Sequence, residues 1–276
     1  MVYILLLLPV LSLLYILWHR RYKSKNNRFY PILSYHKVTD KFEWGITRVT
    51  PRSFKEQVSF LKEEGFSITD LDEIEKNRDN SKLVAFTFDD GYQSVYQNAF
   101  PVLKENNSSA TIFLVAGHIG KDNLWEAGFG RRFRHLSWEE IEEMKNYGFH
   151  FGSHTVNHPD LTKLTKRQLE YELRSSKEVI EDKLNQKVKY LSYPFGRHNQ
   201  QVREQAKKTG YQAAFSLTSE KSFDPFAIGR IGVYLFDTPL SLRIKLNPGG
   251  LFWIEDLKGW IINQFSAGTA LVKRYK

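Results

Sequence analysis

Two short stretches of this chain carry residue types that can do chemistry together. In Thr87-Phe88-Asp89-Asp90-Gly91-Tyr92, an apolar run from Leu83 ends in two adjacent carboxylates and a glycine. In Ser153-His154-Thr155-Val156-Asn157-His158, two histidines stand four positions apart. Each is weak alone, because Asp-Gly is a common turn dipeptide and a spaced histidine pair is often a structural accident. Together they supply two imidazoles and a carboxylate for a His₂Asp cation site, with one carboxylate to spare. Such a site keeps coordination positions open for water and substrate, which suits metal-assisted hydrolysis. The two acids then divide the work: one ligates the cation, and the other is the general base toward a metal-bound water. If the loop after Ser153 turns helically, residues four apart project the same way and the imidazoles converge.

The elements that must position these groups alternate along the chain. Strands are expected at Pro31–Val38, Leu83–Phe88, Ala110–Ala116, Phe149–Ser153, Val188–Tyr193, Ala213–Leu217 and Ala227–Val233. Helices are expected from Thr50, as N-cap before Pro51, to Glu64, and over Ser94–Asn106, Thr165–Leu184 and Gln200–Thr209. Ser137-Trp138-Glu139-Glu140 reads as a capping box for one more, to Tyr147. Repeated β–α order predicts an α/β fold, a mostly parallel sheet with helices outside it. His36, Asp89, Asp90, His118, His154 and Gly196 all fall just past strand C-termini, and in a β/α barrel those ends meet at one mouth. His36 is a candidate acid or substrate contact, or a histidine bonded beneath the site, whereas His118 and His198 read as inert loop histidines.

Three motifs in order, Thr87–Tyr92, Ser153–His158 and Tyr193-Pro194-Phe195-Gly196, resemble the signatures of polysaccharide deacetylases, the NodB-homology proteins of carbohydrate esterase family 4. The Tyr-Pro-Phe-Gly form and the Tyr35-His36 start are similar to the poly-N-acetylglucosamine deacetylase branch. The resemblance implies a distorted (β/α)7 barrel. It also implies a hydrolase acting on linear amides, which takes N-acetyl groups from poly-N-acetylglucosamine, peptidoglycan or a chitin-like glycan. By this resemblance Asp89 is the base, and Asp90, His154 and His158 hold one divalent ion, Zn²⁺ first, with Co²⁺, Ni²⁺ or Fe²⁺ as alternatives. The backbone of Tyr193, Pro194, Phe195 and Gly196 lines the substrate groove, an N–H there meets the oxyanion, and His36 joins the catalytic set. Trp125, Trp138 and Phe195 are candidates to stack on sugar rings, with Trp138 read rather as core. Two departures stand out. Many members carry a base-orienting arginine where this chain has Ser192. A late histidine serves as acid near the strand that here holds Arg230, and no histidine follows His198. The alternatives are a non-catalytic glycan-binding homologue and a deacetylase of a lipid-linked sugar at the membrane surface.

The formal charge is +9, with 40 basic and 31 acidic residues. Five of the basic residues (Arg20, Arg21, Lys23, Lys25 and Arg28) lie in the first 30, which hold no acid, so the remainder is 35 against 31. The excess suits anionic lipid headgroups more than nucleic acid, for which no module signature is present. With no cysteine, thiolate ligands and disulfides are excluded. Val2–Trp18 is an uncharged, Leu-rich run that as a helix would span roughly 25 Å, and it reads as an uncleaved anchor. The expected organisation is a transmembrane helix over 1–18, a basic linker over 19–30, the barrel over 31–240 and a helical extension over 241–276. The family resemblance would put the catalytic domain outside the cell membrane, while the positive-inside rule favours the cytoplasm. Expected partners are an acetylated amino-sugar glycan and membrane lipid.

Overall fold

The computed structural model describes residues 31–42, 46–77, 79–123, 133–217 and 223–246. The Val2–Trp18 run, the basic linker, Trp125 and the segment from Asn247 onward lie outside them. Among the described residues no helix is long and apolar enough to cross a membrane.

The strands are β1 (Ile32–Tyr35), β2 (Lys37–Val38), β3 (Arg48–Val49), β4 (Ser67–Thr69), β5 (Leu83–Phe88), β6 (Thr111–Leu114), β7 (His150–Ser153), β8 (Tyr190–Ser192), β9 (Ala213–Ser216), β10 (Ile228–Gly229) and β11 (Ile231–Gly232). The helices are α1 (Pro51–Glu63), α2 (Leu71–Lys76), α3 (Phe100–Glu105), α4 (Trp138–Asn146), α5 (Lys166–Leu184), α6 (Gln200–Lys208) and α7 (Pro239–Leu246). Both predicted caps are present, with Thr50 accepting from the Ser53 amide and Ser137–Glu140 forming a reciprocal capping box, and Thr165–Gln168 forms a second such box. Only the second half of the helix expected over Ser94–Asn106 is α; Val95–Ala99 is a π-turn. Helix α7 straddles the expected boundary at 240/241.

All the strand pairs are parallel, in the order β10-β9-β8-β7-β6-β5-β1-β11. The strand expected over Ala227–Val233 is broken at Arg230. Its first half, β10, bonds β9, and its second half, β11, bonds β1. The path therefore returns to its start as a barrel-like sheet. The short β4, which the sequence pattern did not reveal, fills the lower edge of β5 below β6.

Side chains alternate across a strand, so the sheet builds two cores. Leu33, Phe86, Phe88, Ile112, Leu114 and Leu191 face outward onto Phe54, Leu61, Leu103 and Leu173 of the helices. Ile32, Ala85, Phe113, Tyr190 and Phe215 form a separate cluster enclosed by the strands. Phe113 needs room from its neighbour in register, Gly152. A Cβ on Gly152 would lie 2.6 Å from the Phe113 ring. Gly152→Ala should therefore overpack the barrel interior and destabilise the fold by about 1–3 kcal/mol; denaturant unfolding checks this.

Candidate metal and catalytic centre

The mouth is assembled from strand exits that leave the sheet in strained conformations. Among the described residues, six other than glycine have positive φ, and four of them are Asp90 (69°), Thr155 (70°), His158 (55°) and Phe195 (61°). Such conformations cost about 1–3 kcal/mol each, and Thr155, being β-branched, is the clearest outlier. Clustered here, they turn side chains toward one point that regular strand or helix geometry would not reach.

Asp90, His154 and His158 meet at that point and are all buried. Asp90 Oδ1 lies 3.6 Å from His154 Nε2 and 3.4 Å from His158 Nε2, with the imidazole rings 4.8 Å apart. The two histidines converge through a loop with left-handed turns at Thr155 and His158, not through the helical turn expected from their spacing. The set fits a cation: two donors each about 2.0–2.1 Å from one tetrahedral ion stand about 3.4 Å apart. His154 Nδ1–H donates to the Ser192 carbonyl at 2.7 Å, which turns a bare Nε2 toward Asp90. Burial pushes His154 below its ordinary range, and Arg230 adds to this against the opposing pull of Asp89 and the Ser192 carbonyl. A neutral imidazole is a ligand, not the cationic half of an ion pair.

Asp89 has a different environment from its neighbour. Arg230, with its side chain wholly buried, donates from Nη1 to Asp89 Oδ1 at 2.8 Å and from Nη2 to Oδ2 at 2.7 Å. The same guanidinium bonds Thr87 Oγ1 at 3.0 Å and Ser192 Oγ at 2.8 Å, and sits 5.2 Å from the Phe113 ring centre. The carboxylate expected to act as base thus has an orienting arginine, supplied by the break between β10 and β11. The hydroxyl at Ser192, where many relatives have that arginine, is instead one of its acceptors. Burial would raise the Asp89 carboxyl, but Arg230, His154 and His36 outweigh it and hold the group well below the usual carboxylate range.

His36 follows β1, whose Tyr35 carbonyl accepts the Asp89 amide at 2.9 Å. Burial pushes it down to about 4, against the pull of Asp89 and with help from His154, Arg230 and Lys37. It is a neutral imidazole at neutral pH and must gain a proton before it can give one. The third motif is brought to the same mouth. The Phe195 ring lies 4.7 Å from the His158 ring, and Arg197 reaches Asp160 at 2.8 Å, tying this loop to the histidine loop. Tyr193 is buried and its hydroxyl donates to the Phe226 carbonyl at 2.9 Å. The Tyr193 amide donates to Phe215 O and the Gly196 amide to Tyr193 O, so these two amides serve the fold. At Gly196 (φ 65°) a Cβ would lie 3.0 Å from the Leu217 amide. Trp138 packs half-buried against the outer core.

His135 was not singled out by motif or spacing. Its Nδ1–H donates to the Asp90 carbonyl at 2.8 Å and its ring stacks on Tyr92 at 4.9 Å. It pins the backbone of Asp90 from a segment 45 residues away, and no local pattern announces such a partner.

A family model described as polysaccharide deacetylase matches residues 76–214, which hold all three motifs. The chain belongs to the polysaccharide deacetylase family. It is therefore a carbohydrate deacetylase. It is 33% identical over 227 residues to the poly-beta-1,6-N-acetyl-D-glucosamine N-deacetylase of Staphylococcus epidermidis, covering 76% of this chain and 73% of that one. Among solved structures, the Streptococcus pyogenes deacetylase PplD in complex with acetate matches with a TM-score of 0.68 at 28% identity, over 79% of this chain and 98% of that one. IcaB from Ammonifex degensii matches with a TM-score of 0.66 at 27% identity, over 80% and 96%.

The sign of the Asp89 shift gives a pH test. A carboxyl lower in the folded than in the unfolded chain adds stability above about pH 4, and this is lost as pH falls through the folded value. Arg230→Met should remove that contribution and leave a buried, uncompensated carboxylate, at a cost of about 3–5 kcal/mol. In Arg230→Lys, which keeps the charge but not the fork, the acidic limb of kcat/KM should move to higher pH. A pH–rate profile of this variant against the parent checks the direction.

Proposed function

We propose that this deacetylase removes N-acetyl groups from an amino-sugar glycan of the poly-N-acetylglucosamine type. The observation that carries this is the contrast between two adjacent acids: Asp90 faces two buried imidazoles, while Asp89 is gripped by Arg230. Asp90, His154 and His158 would hold a divalent ion, with zinc the best match to two imidazoles and a carboxylate, and it would supply the Lewis acidity that makes a water proton labile enough for a carboxylate base. Asp89, fixed in direction by the guanidinium fork, accepts that proton as the water oxygen adds to the acetamide carbonyl. We assign the contact to the developing oxyanion to the backbone at Phe195, and the contact to the departing nitrogen to His36. The proton that Asp89 takes from water passes through His36, neutral at rest, to the amine as the C–N bond breaks, which restores the Asp89 carboxylate. Acetate and a free amine result.

The glycan class is supported by the Staphylococcus epidermidis relative, whose name states that substrate, and by the Tyr35-His36 and Tyr193–Gly196 forms. An anchor at Val2–Trp18 with its basic flank would hold the activity against a membrane surface.

Incubation with β-1,6-linked N-acetylglucosamine oligomers should release acetate. A chelator should abolish release and added Zn²⁺ should restore it. Asp89→Asn should lower kcat by about 10²–10⁴-fold, the usual worth of a positioned base. Full activity in Asp90→Ala, or after metal stripping, would overturn the mechanism.

A further inference from the structure

Helix α5 turns Leu169, Glu172, Leu173, Ser176, Ile180 and Leu184 toward the core. Two of these are polar, and burying polar groups is costly unless they are bonded. Glu172 bonds the loop between the two histidines directly, and Ser176 reaches it through Ser153. Glu172 Oε2 accepts from the amides of Val156 at 2.8 Å and Asn157 at 2.9 Å, and its Oε1 accepts from Asn157 Nδ2 at 2.8 Å. One turn on, the Ser176 hydroxyl donates to the Glu172 carbonyl at 2.7 Å and sits 2.8 Å from Ser153 Oγ. Ser153 Oγ in turn accepts the Thr155 amide at 3.2 Å.

The loop is gripped on its other side too. The amides of Ala116 and Gly117 donate to the carbonyls of Thr155 and Val156 at 3.0 and 2.9 Å. A Cβ at Gly117 would lie 2.7 Å from the Val156 oxygen. The His158 amide closes the turn by donating to Thr155 Oγ1 at 3.0 Å. A segment with two left-handed residues persists only where its surroundings over-determine it. Glu172 makes three of these restraints with one charged group, and hydrogen bonds to a carboxylate are the stronger kind.

We propose that Glu172 is the positioning residue of the metal centre, holding Val156–Asn157 so that His158 returns to Asp90 and His154. It acts through the loop and not on substrate, and the inference rests on reading Asp90, His154 and His158 as cation ligands. Glu172→Met fills the same buried space without an acceptor. Glu172→Gln keeps one oxygen for the two backbone amides and serves as the conservative rescue. Glu178→Gln, exposed on the same helix, is the control.

The test is a Co²⁺ titration of the full chain, reading the visible d–d bands and competing with a chromogenic chelator. Glu172→Met should weaken Co²⁺ binding by about 10–100-fold, the usual cost of removing a ligand's supporting contact, and change the band pattern. Glu172→Gln should fall between it and the parent, and Glu178→Gln should match the parent. Thermal unfolding of the metal-free proteins separates this from a general loss of fold, which would lower the midpoint without altering the bands. Should Glu172→Met not fold, Asn157→Ala, which removes one of the three bonds, should still weaken binding several-fold. Parent-like binding, within twofold, by the folded variant would overturn this inference alone. No Co²⁺ binding by the parent protein would overturn it together with the metal site.

Discussion

A buried guanidinium sits where the sheet closes on itself. Arg230 interrupts what would otherwise be one strand, so β10 can bond β9 while β11 bonds β1. Its side chain fills the upper interior, over Phe113 and against Thr87, Asp89 and Ser192. A buried charge is tolerated only when paired and bonded, so the positions of these groups are interdependent. Phe113 in turn requires Gly152 to be without a side chain. The apolar interior therefore supports the mouth through contacts that run from glycine to ring to guanidinium to carboxylate.

Above that layer, stability is traded for direction. Asp90, Thr155, His158 and Phe195 adopt backbone conformations unfavourable for their residue types. Local and distant contacts hold these turns: His135 bonds the Asp90 carbonyl, Ser153 and the β6 exit bond the Thr155 backbone, Thr155 Oγ1 accepts the His158 amide, and Arg197–Asp160 links the second and third motifs. The opposite end of the barrel carries a simpler cluster. There Asp72 takes hydrogen bonds from Lys189 at 2.5 Å and Tyr190 at 2.6 Å, with His150 3.4 Å away. His150 first, then Lys189 and Tyr190, hold its carboxyl well below the usual range despite burial. Conformational strain gathers at the mouth, and ordinary ion pairing seals the base.

Two adjacent carboxylates in one covalent frame have different chemistry because the chain turns between them. Asp89 continues the strand direction and meets Arg230, whereas Asp90, in the left-handed region, points to the imidazoles. That one backbone turn, with Gly91 after it also at positive φ (63°) and its would-be Cβ 2.8 Å from Leu114, sends one carboxylate to a guanidinium and the other to two imidazoles.

Much of this was legible in the sequence, and for definite reasons. The alternation of apolar strands and capped helices predicted parallel β–α order, because caps and periodicity act over a few residues. The types and spacing of Asp89-Asp90 and His154-x₃-His158 predicted a ligand set with a spare base, because metal-ligand chemistry restricts residue type. What the sequence could not reveal were contacts between groups far apart in the chain. The arginine that grips Asp89 lies 141 positions from it, at a residue where the family resemblance leads one to expect a histidine. The short strand β4 has too few residues to show a period. His135 carries no local signature, and the histidines converge through a strained loop where spacing alone suggested a helical turn. Residue chemistry by itself determined which groups could bind a cation and accept a proton; barrel closure, which brings distant strand exits within hydrogen-bonding distance, decided which of them meet and in what orientation.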